Sequence, residues 1–207
     1  MDKPTLLVTV FVDYICPFCY VGVTRLDALR ETYDLRVNWC LLEVHPENSP
    51  ATIPAEALPY EPELLKRKMT RLARMAAEEG LRFADLTVST NSHRALLLSE
   101  AAKEDDRAVF YRLHRRLYEA YFAEGRNIGA EEELRELAAS CEVGADTVRR
   151  AWTDPRYEER LQRNRRLALQ LGIVNTPTYL FGDRIVAGAV SKERLVGAAQ
   201  EVAAAAC

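Results

Sequence analysis

The chain has 207 residues, more than a typical single domain and fewer than two comfortable ones, so one fold carrying a large insertion is the expectation. Its 28 basic and 31 acidic residues are interleaved and leave a formal net charge of −3, which gives no electrostatic footprint for nucleic acid. The first apolar run is too short to span a bilayer and no basic leader precedes it, so a cytoplasmic protein without a membrane partner is expected.

Thr5 to Val12 is β-branched and apolar on both faces, which predicts a strand buried in the middle of a sheet. From Pro17, the residues Val21, Val23, Leu26 and Leu29 recur at helical intervals up to Tyr33-Asp34, and Leu35 to Leu42 reads as a second strand. A strand, a helix and a strand in so short a span predict a right-handed βαβ unit with its site at the carboxyl end of the first strand. Next come Glu43, His45, Pro46, Pro50, Pro54, Pro59 and Pro62, too rich in proline for a helix or a central strand, which read as a linker. From about 62 to 171 the pattern predicts helices and no strand. Leu65, Met69, Leu72 and Met75 repeat and stop at Gly80; Ala95 to Ala102 follow; Phe110, Leu113, Leu117 and Tyr121 stop at Gly125. Further helical patterns cover 131–139, 146–152 and 157–171, with no internal repeat. Thr178 to Phe181 and Arg184 to Ala187 flank Gly182-Asp183, a two-residue hairpin signal, and Ser191 caps a last helix. This element order is that of an α/β thioredoxin fold with a large all-helical insertion. Residues 1–61 and 172–207 would form the discontinuous thioredoxin-like domain, and 62–171 the inserted helical subdomain.

The chemistry centres on Cys16 and Cys19, two of five cysteines, set where the first strand gives way to the first helix. Residues three apart share a helix face, so the pair can close a small disulfide without unwinding the turn. Pro17 falls at the first helical position, where its missing N–H costs nothing. Cys16 then occupies the helix N-terminus, where free N–H groups and the helix dipole lower a cysteine pKa from about 8.5 to roughly 3.5 to 7.5. It reads as the nucleophile and Cys19, one turn further in, as the resolving thiol. A pair of inert core cysteines competes with this reading but does not account for the proline and the junction. A structural zinc competes as well, but the remaining cysteines Cys40, Cys141 and Cys207 are isolated and supply no second pair, so no metal is expected.

The Phe-x-Asp-x-x-Cys-Pro-Phe-Cys motif at 11–19, Asn91-Ser92 ahead of an apolar helix, Gly172-Ile173 through Pro177, and Gly188 opening the last helix carry a family resemblance. With them the chain resembles the DsbA family of thioredoxin-fold proteins, in its FrnE-like branch related to 2-hydroxychromene-2-carboxylate isomerases. The resemblance implies a thiol-disulfide oxidoreductase acting on protein or peptide substrates, with no bound cofactor and with glutathione or a thioredoxin-type reductant as redox partner. It implies that Thr176-Pro177 is a cis-proline loop facing Cys16, against which an extended substrate pairs as an added strand. Asn175-Thr176-Pro177 departs from the Gly-Val-Pro form expected of the family, and the Thr176 hydroxyl can contact the sulfur. Relatives that act as glutathione-dependent isomerases or kappa-class transferases carry serine where this chain has Cys16, which leaves that activity as the alternative.

Other residues are weighed beside these. Asp13 is placed to tune or relay the proton of Cys16, against the alternative of a solvated strand-end carboxylate. Pro17 and Phe18, with Tyr14, read as an apolar rim for substrate. Glu43 and His45 are within reach of the site but read as loop residues, and His93 and His114 as surface or packing residues. Cys40 and Cys141 read as buried core thiols and Cys207 as exposed and oxidisable. Arg160, Arg163, Arg165 and Arg166 read as a solvated helix face opposite Leu161, Leu167 and Leu171.

Overall fold

In the computed structural model, which describes residues 3–46, 53–54, 61–84 and 88–205, strand β1 (Thr5–Val12) is the centre of a four-stranded mixed sheet. It pairs in parallel with β2 (Asp34–Leu41), from Thr5 opposite Asp34 to Val12 opposite Leu41. On its other edge it runs antiparallel to β5 (Thr178–Phe181), with Phe11 opposite Thr178, and β5 turns through Gly182 into β6 (Arg184–Ala187). The sheet order is β2-β1-β5-β6, a thioredoxin fold.

Leu6, Val8, Val10 and Val12 point into the main core, beneath helix α1 (Pro17–Leu26) and residues of the inserted helices. The opposite face departs from the expected strand buried on both sides: Thr5 is exposed and Leu7 is 68% exposed, and only Phe11 is covered. The cover comes from Ala168 and Ile173, which reach only the carboxyl end of the strand, where they meet Phe11, Cys40 and Leu42. Helix α1 is shorter than predicted and tightens into a 3₁₀ turn over Asp27–Glu31. Residues three apart eclipse in such a turn, so Leu26 and Leu29 are both buried.

Between β2 and β5 lie α2 (Pro62–Glu78), α3 (His93–Asp105), α4 (Arg107–Tyr118), α5 (Glu131–Ser140), α6 (Ala145–Thr153) and α7 (Pro155–Gln170), and α8 (Lys192–Ala205) closes the chain. The positions expected to stop helices do so: Gly80 and Gly125 have φ of 65° and 68°, a conformation that favours glycine. The expectation of no strand between 62 and 171 fails at one place. A two-residue strand β4 (Val88–Ser89) pairs with β3 (Ile53–Pro54), a contact too short to show any alternation in sequence. Pro50 and Pro59 lie outside the described residues. After α4 the chain takes a π-turn over Glu119–Ala123, whose wider coil buries Ala120, Tyr121 and Phe122 together. In α7 the buried positions are Tyr157, Leu161 and Ala168, whereas Leu167 is exposed, contrary to the predicted apolar face. In α2, Leu72 and Met75 are buried but Leu65 and Met69 are exposed. Among the described residues, no helix is long and apolar enough to cross a membrane.

A buried ion cluster fixes α1 to its surroundings. Arg25 and Glu79 are 4% and 6% exposed and meet at 2.9 Å; Arg25 also reaches Glu78 and donates to the carbonyls of Ala189 and Val190 at 3.2 and 3.1 Å. Lys192 meets Glu79 at 2.8 Å, so α1, the end of α2 and the start of α8 share one cluster. Removing one partner strands the others in a desolvated site, so Arg25→Met is expected to lower the unfolding free energy by about 3 kcal/mol, read from urea denaturation. Burial opposes ionisation of Glu79, but hydrogen bonds from Lys192 and Arg25 outweigh it and hold its carboxyl below the usual range. Its stabilising contribution is therefore complete above the ordinary carboxylate range and is lost as pH falls through the lower folded value, and the variant should lose part of that acid slope.

Candidate active site

Cys16 is the N-cap of α1, with extended backbone (φ −87°, ψ 110°) and Pro17 directly after it. Its side chain is part exposed, whereas Cys19 is wholly buried. The Cys19 N–H donates to the Cys16 carbonyl at 2.9 Å, which closes the first turn. Because β5 runs antiparallel to β1, the residues just before it arrive where β1 ends, and Thr176-Pro177 lies against the cysteines. The Thr176-Pro177 peptide is cis. The Cys16 thiol donates to the Thr176 carbonyl across 3.4 Å. The Pro177 carbonyl in turn accepts from the Gly188 N–H at 2.7 Å, and the Thr178 hydroxyl donates to the Asn175 carbonyl at 2.7 Å.

The two sulfurs are polarised in opposite senses. A hydrogen bond from the Cys19 thiol is the largest influence on Cys16; with the Thr176 side chain and the Cys19 N–H it outweighs burial and holds the Cys16 thiol below its usual value. Burial, then the Cys16 sulfur itself, pushes Cys19 well up. One cysteine is thus held toward thiolate and its partner toward thiol.

Asp13 directly follows β1 and is wholly buried, not a solvated carboxylate. It accepts from the Val44 N–H at 2.8 Å and the Ile15 N–H at 3.3 Å, while its carbonyl accepts from the Cys16 N–H and the Tyr118 hydroxyl, each at 3.3 Å. Among the described residues no basic side chain pairs with it. Burial raises its pKa to about 6, the Val44 and Ile15 hydrogen bonds oppose, and the negative charge of Glu43 adds to the rise. Glu43 itself accepts from Asn91 Nδ2 at 3.0 Å and meets His93 Nδ1 at 3.0 Å; His93 Nε2 meets Glu158 at 3.1 Å. Hydrogen bonding to Glu43, against burial, raises the His93 pKa. This chain from β2 to α3 and α7 was not evident in the sequence, where Asn91-Ser92 stood out without a role.

Tyr14 is not part of an exposed rim. It is fully buried, and its hydroxyl meets Ser99 Oγ and His114 Nδ1, each at 2.8 Å. His114 packs in the core as expected, and burial drives its pKa down to about 3, so it is neutral. Pro17 and Phe18 are part exposed, and Phe18 packs beside Val21, Leu72 and Met75. Cys40 is buried, which pushes its thiol up to about 11, and Cys141 is buried as well; Cys207 lies outside the described residues. A second feature of the site is Gly22, inside α1, where a Cβ would lie 2.3 Å from Tyr179 Oη and 2.7 Å from Pro177 Cγ. Its signal was a glycine in a helix interior, where the residue is ordinarily unfavourable.

Residues 7–200 match the DSBA-like thioredoxin domain. The chain belongs to the DSBA-like thioredoxin family. YwbO of Bacillus subtilis, an uncharacterized protein, is 27% identical over 192 residues, covering 91% of this chain and 93% of its own. A structure described as a probable DsbA oxidoreductase, from Streptomyces coelicolor, superposes with a TM-score of 0.83 at 25% identity over 95% of this chain and 89% of that one. The cytosolic disulfide reductase DsbM of Pseudomonas aeruginosa, in a structure with GSH, shares the fold at a TM-score of 0.66, with 22% identity and 96% of each chain covered. The family is one of thiol oxidoreductases.

Two substitutions probe the geometry. Gly22→Ala should force Pro177 and Tyr179 back from α1, costing about 1–3 kcal/mol as overpacked cores do, and should slow alkylation or exchange at Cys16. Asp13→Asn removes a negative charge that opposes the Cys16 thiolate, so the apparent Cys16 pKa, followed by thiolate absorbance, should fall. The same variant tests stability: a carboxyl whose pKa rises on folding from 3.8 to about 6 favours the folded state while protonated. Stability should therefore decline as pH rises through that window in the native protein, and the decline should disappear in Asp13→Asn.

Proposed function

We propose that the protein is a thiol-disulfide oxidoreductase whose substrates are protein or peptide disulfides. The observation that carries this reading is the contrast between the two cysteines: Cys16 part exposed, capping the helix and held toward thiolate, Cys19 buried one turn behind it and held toward thiol. The Cys16 thiolate attacks one sulfur of the substrate disulfide; a Cys16–substrate bond forms, the substrate S–S bond breaks, and the departing sulfur leaves as thiolate. Cys19 then loses its proton to that thiolate and attacks Cys16. The mixed disulfide breaks, the second substrate thiol departs, and two electrons have passed from the Cys16–Cys19 pair to the substrate. Run in reverse, the same steps oxidise a substrate dithiol.

Thr176 and Pro177 form the docking loop, supported by the 3.4 Å contact between Cys16 and the Thr176 carbonyl, with Pro17 and Phe18 beside it as part-exposed apolar surface. Asp13 acts as a positioning residue: it holds the turn before Cys16 through the Ile15 N–H and sets how far the thiolate is favoured. We place the protein in the cytoplasm, with glutathione as its redox partner and no bound cofactor. The solved relative with GSH, which shares the fold, supports the choice of thiol.

Reduced wild type, Cys16→Ser and Cys19→Ser mixed with a disulfide-bonded peptide and analysed by intact mass test the roles. Wild type should finish with an intramolecular disulfide and free peptide thiols, Cys19→Ser should be trapped as a mixed disulfide on Cys16, and Cys16→Ser should be inert. Exchange at full rate in Cys16→Ser would overturn the assignment. Glutathione-dependent turnover of a small molecule that survives Cys19→Ser would replace it with the isomerase or transferase reading.

A further inference from the structure

We propose that the amino-terminal half of α2 is a docking surface for disulfide substrates, and that it selects segments in which acidic residues alternate with apolar ones near the reacting cysteine. The inference rests on the oxidoreductase reading and names its substrate class.

Helix α2 carries Lys66, Arg67, Lys68, Arg71 and Arg74 against Glu63 and Glu78, a local excess of positive charge in a chain whose formal net charge is −3. Several arginines elsewhere on the surface sit on carboxylates: Arg112 on Glu142, Arg116 on Glu124, Arg126 on Glu133, Arg150 on Asp105. Among the described residues, no carboxylate pairs with Lys66, Arg67 or Arg71. These three, with Glu63, Thr70 and Arg74, line an open groove of about 460 Å³ along one side of the helix.

Beside that basic side runs an apolar stripe. It begins in the core, where Leu72 and Met75 pack with Phe18 and Val21 of the redox helix, and it continues outward through Met69, Leu65 and Leu64, which are 51%, 36% and 40% exposed. Single exposed apolar residues need no explanation, but three within six positions that extend a buried stripe make a patch, and patches of this kind mark interaction sites. Phe18 is the neighbour of Cys19 in sequence, so the patch starts at the active site and leads away from it. Its partner is therefore a segment attached to the group that reacts there. The unpaired cations call for carboxylates on that segment, and the stripe calls for apolar side chains between them. From Met75 to Leu65 the helix rises about 15 Å, which about five residues of extended chain would span. Acidic residues within about ten positions of the substrate cysteine should therefore matter.

The test measures kcat/KM for a set of peptides that share one disulfide and carry acidic, neutral or basic residues interleaved with leucine, on either side of the cysteine. Bis(2-hydroxyethyl) disulfide, neutral and too small to reach α2, reports the exchange chemistry alone. The acidic peptide should be preferred over the neutral one by about tenfold at low salt, as electrostatic steering allows. The preference should shrink at about 0.5 M salt, where the Debye length is only a few ångströms. It should invert in Lys66→Glu/Arg67→Glu/Arg71→Glu, and Leu65→Ser/Met69→Ser should raise KM for the acidic peptide; both variants should turn over hydroxyethyl disulfide at the wild-type rate. Equal kcat/KM for all peptides, with hydroxyethyl disulfide turned over normally, would overturn the docking surface and leave the oxidoreductase standing. Failure to react with either class of disulfide would remove the underlying reading instead. Self-association in sedimentation that Met69→Ser abolishes, or flotation with anionic vesicles that the charge reversal abolishes, without peptide selectivity, would assign the surface to a second copy or to a membrane and overturn the proposal.

Discussion

The contact on which the rest of the site depends is the close seat of the Thr176-Pro177 loop on the start of α1. It joins residues 160 apart in sequence, Cys16 and Thr176, and no local propensity brings them together. The antiparallel register of β1 and β5 does, with Phe11 opposite Thr178, so that the loop is delivered to the point where β1 stops. Gly22 then sets how near it can come. Tyr179 Oη and Pro177 occupy the space that any side chain there would need. The helix accepts a residue of poor helical propensity so that backbone and proline can meet beside the sulfur. The Arg25–Glu79–Lys192 cluster, three residues further along α1, holds the other end of the same helix against α8 and the turn that follows β6.

Around this contact the electrostatics are balanced rather than maximised. The helix start, the Cys19 thiol and the Thr176 side chain favour a Cys16 thiolate, while the Thr176 carbonyl, which accepts from the thiol, and Asp13, buried within three residues of it, oppose one. A carboxyl without a cationic partner is an expensive group to bury, and its two backbone hydrogen bonds offset only part of the cost. What it supplies is geometric: Val44 and Ile15 are tied to one side chain, so the end of β1, the start of the redox turn and the segment after β2 move as a unit. It also limits thiolate stabilisation. The more the reduced form is favoured, the more strongly oxidising the pair becomes, so a buried negative charge shifts the dithiol–disulfide balance toward the disulfide. Glu43, held by Asn91 and His93, extends the negative region and keeps Asp13 from ionising easily.

Much of the architecture was legible because its signals are local. The Cys-Pro-Phe-Cys motif sits on a helix start that Pro17 announces, Gly80 and Gly125 end helices as glycines do, and Gly182-Asp183 turns the hairpin. The errors share a different cause. Tyr14 lies next to the cysteines in sequence and reads there as part of the rim, but its hydroxyl is committed to Ser99 and His114, 85 and 100 residues away. The burial of Asp13 follows from Val44 and Tyr118 closing over it, and neither is predictable from the strand that carries it. The tight turn after α1 and the π-turn after α4 adjust the helical period by a fraction of a residue to bury one more side chain, a choice made by the neighbours and not by the segment.

Leu7, Leu65, Met69 and Leu167 show the same limit from the other side. Each belongs to an apolar pattern with the right period, and each is exposed. Periodicity specifies which residues share a face, but it cannot specify where the covering layer ends. For Leu7 the cover stops because the end of α7 and the turn after it reach only the carboxyl end of the strand. For α2 the arrangement differs in kind. Its stripe leaves the core at Phe18 and continues into solvent alongside Lys66, Arg67 and Arg71, which find no carboxylate among the described residues, so the pattern that elsewhere marks a buried face here continues past the edge of the core. An amphipathic stripe is the same signature whether the surface that completes it belongs to this chain or to another. Its position beside the redox helix, and the sign of the charge that accompanies it, are what distinguish a substrate's share of that surface from the protein's own.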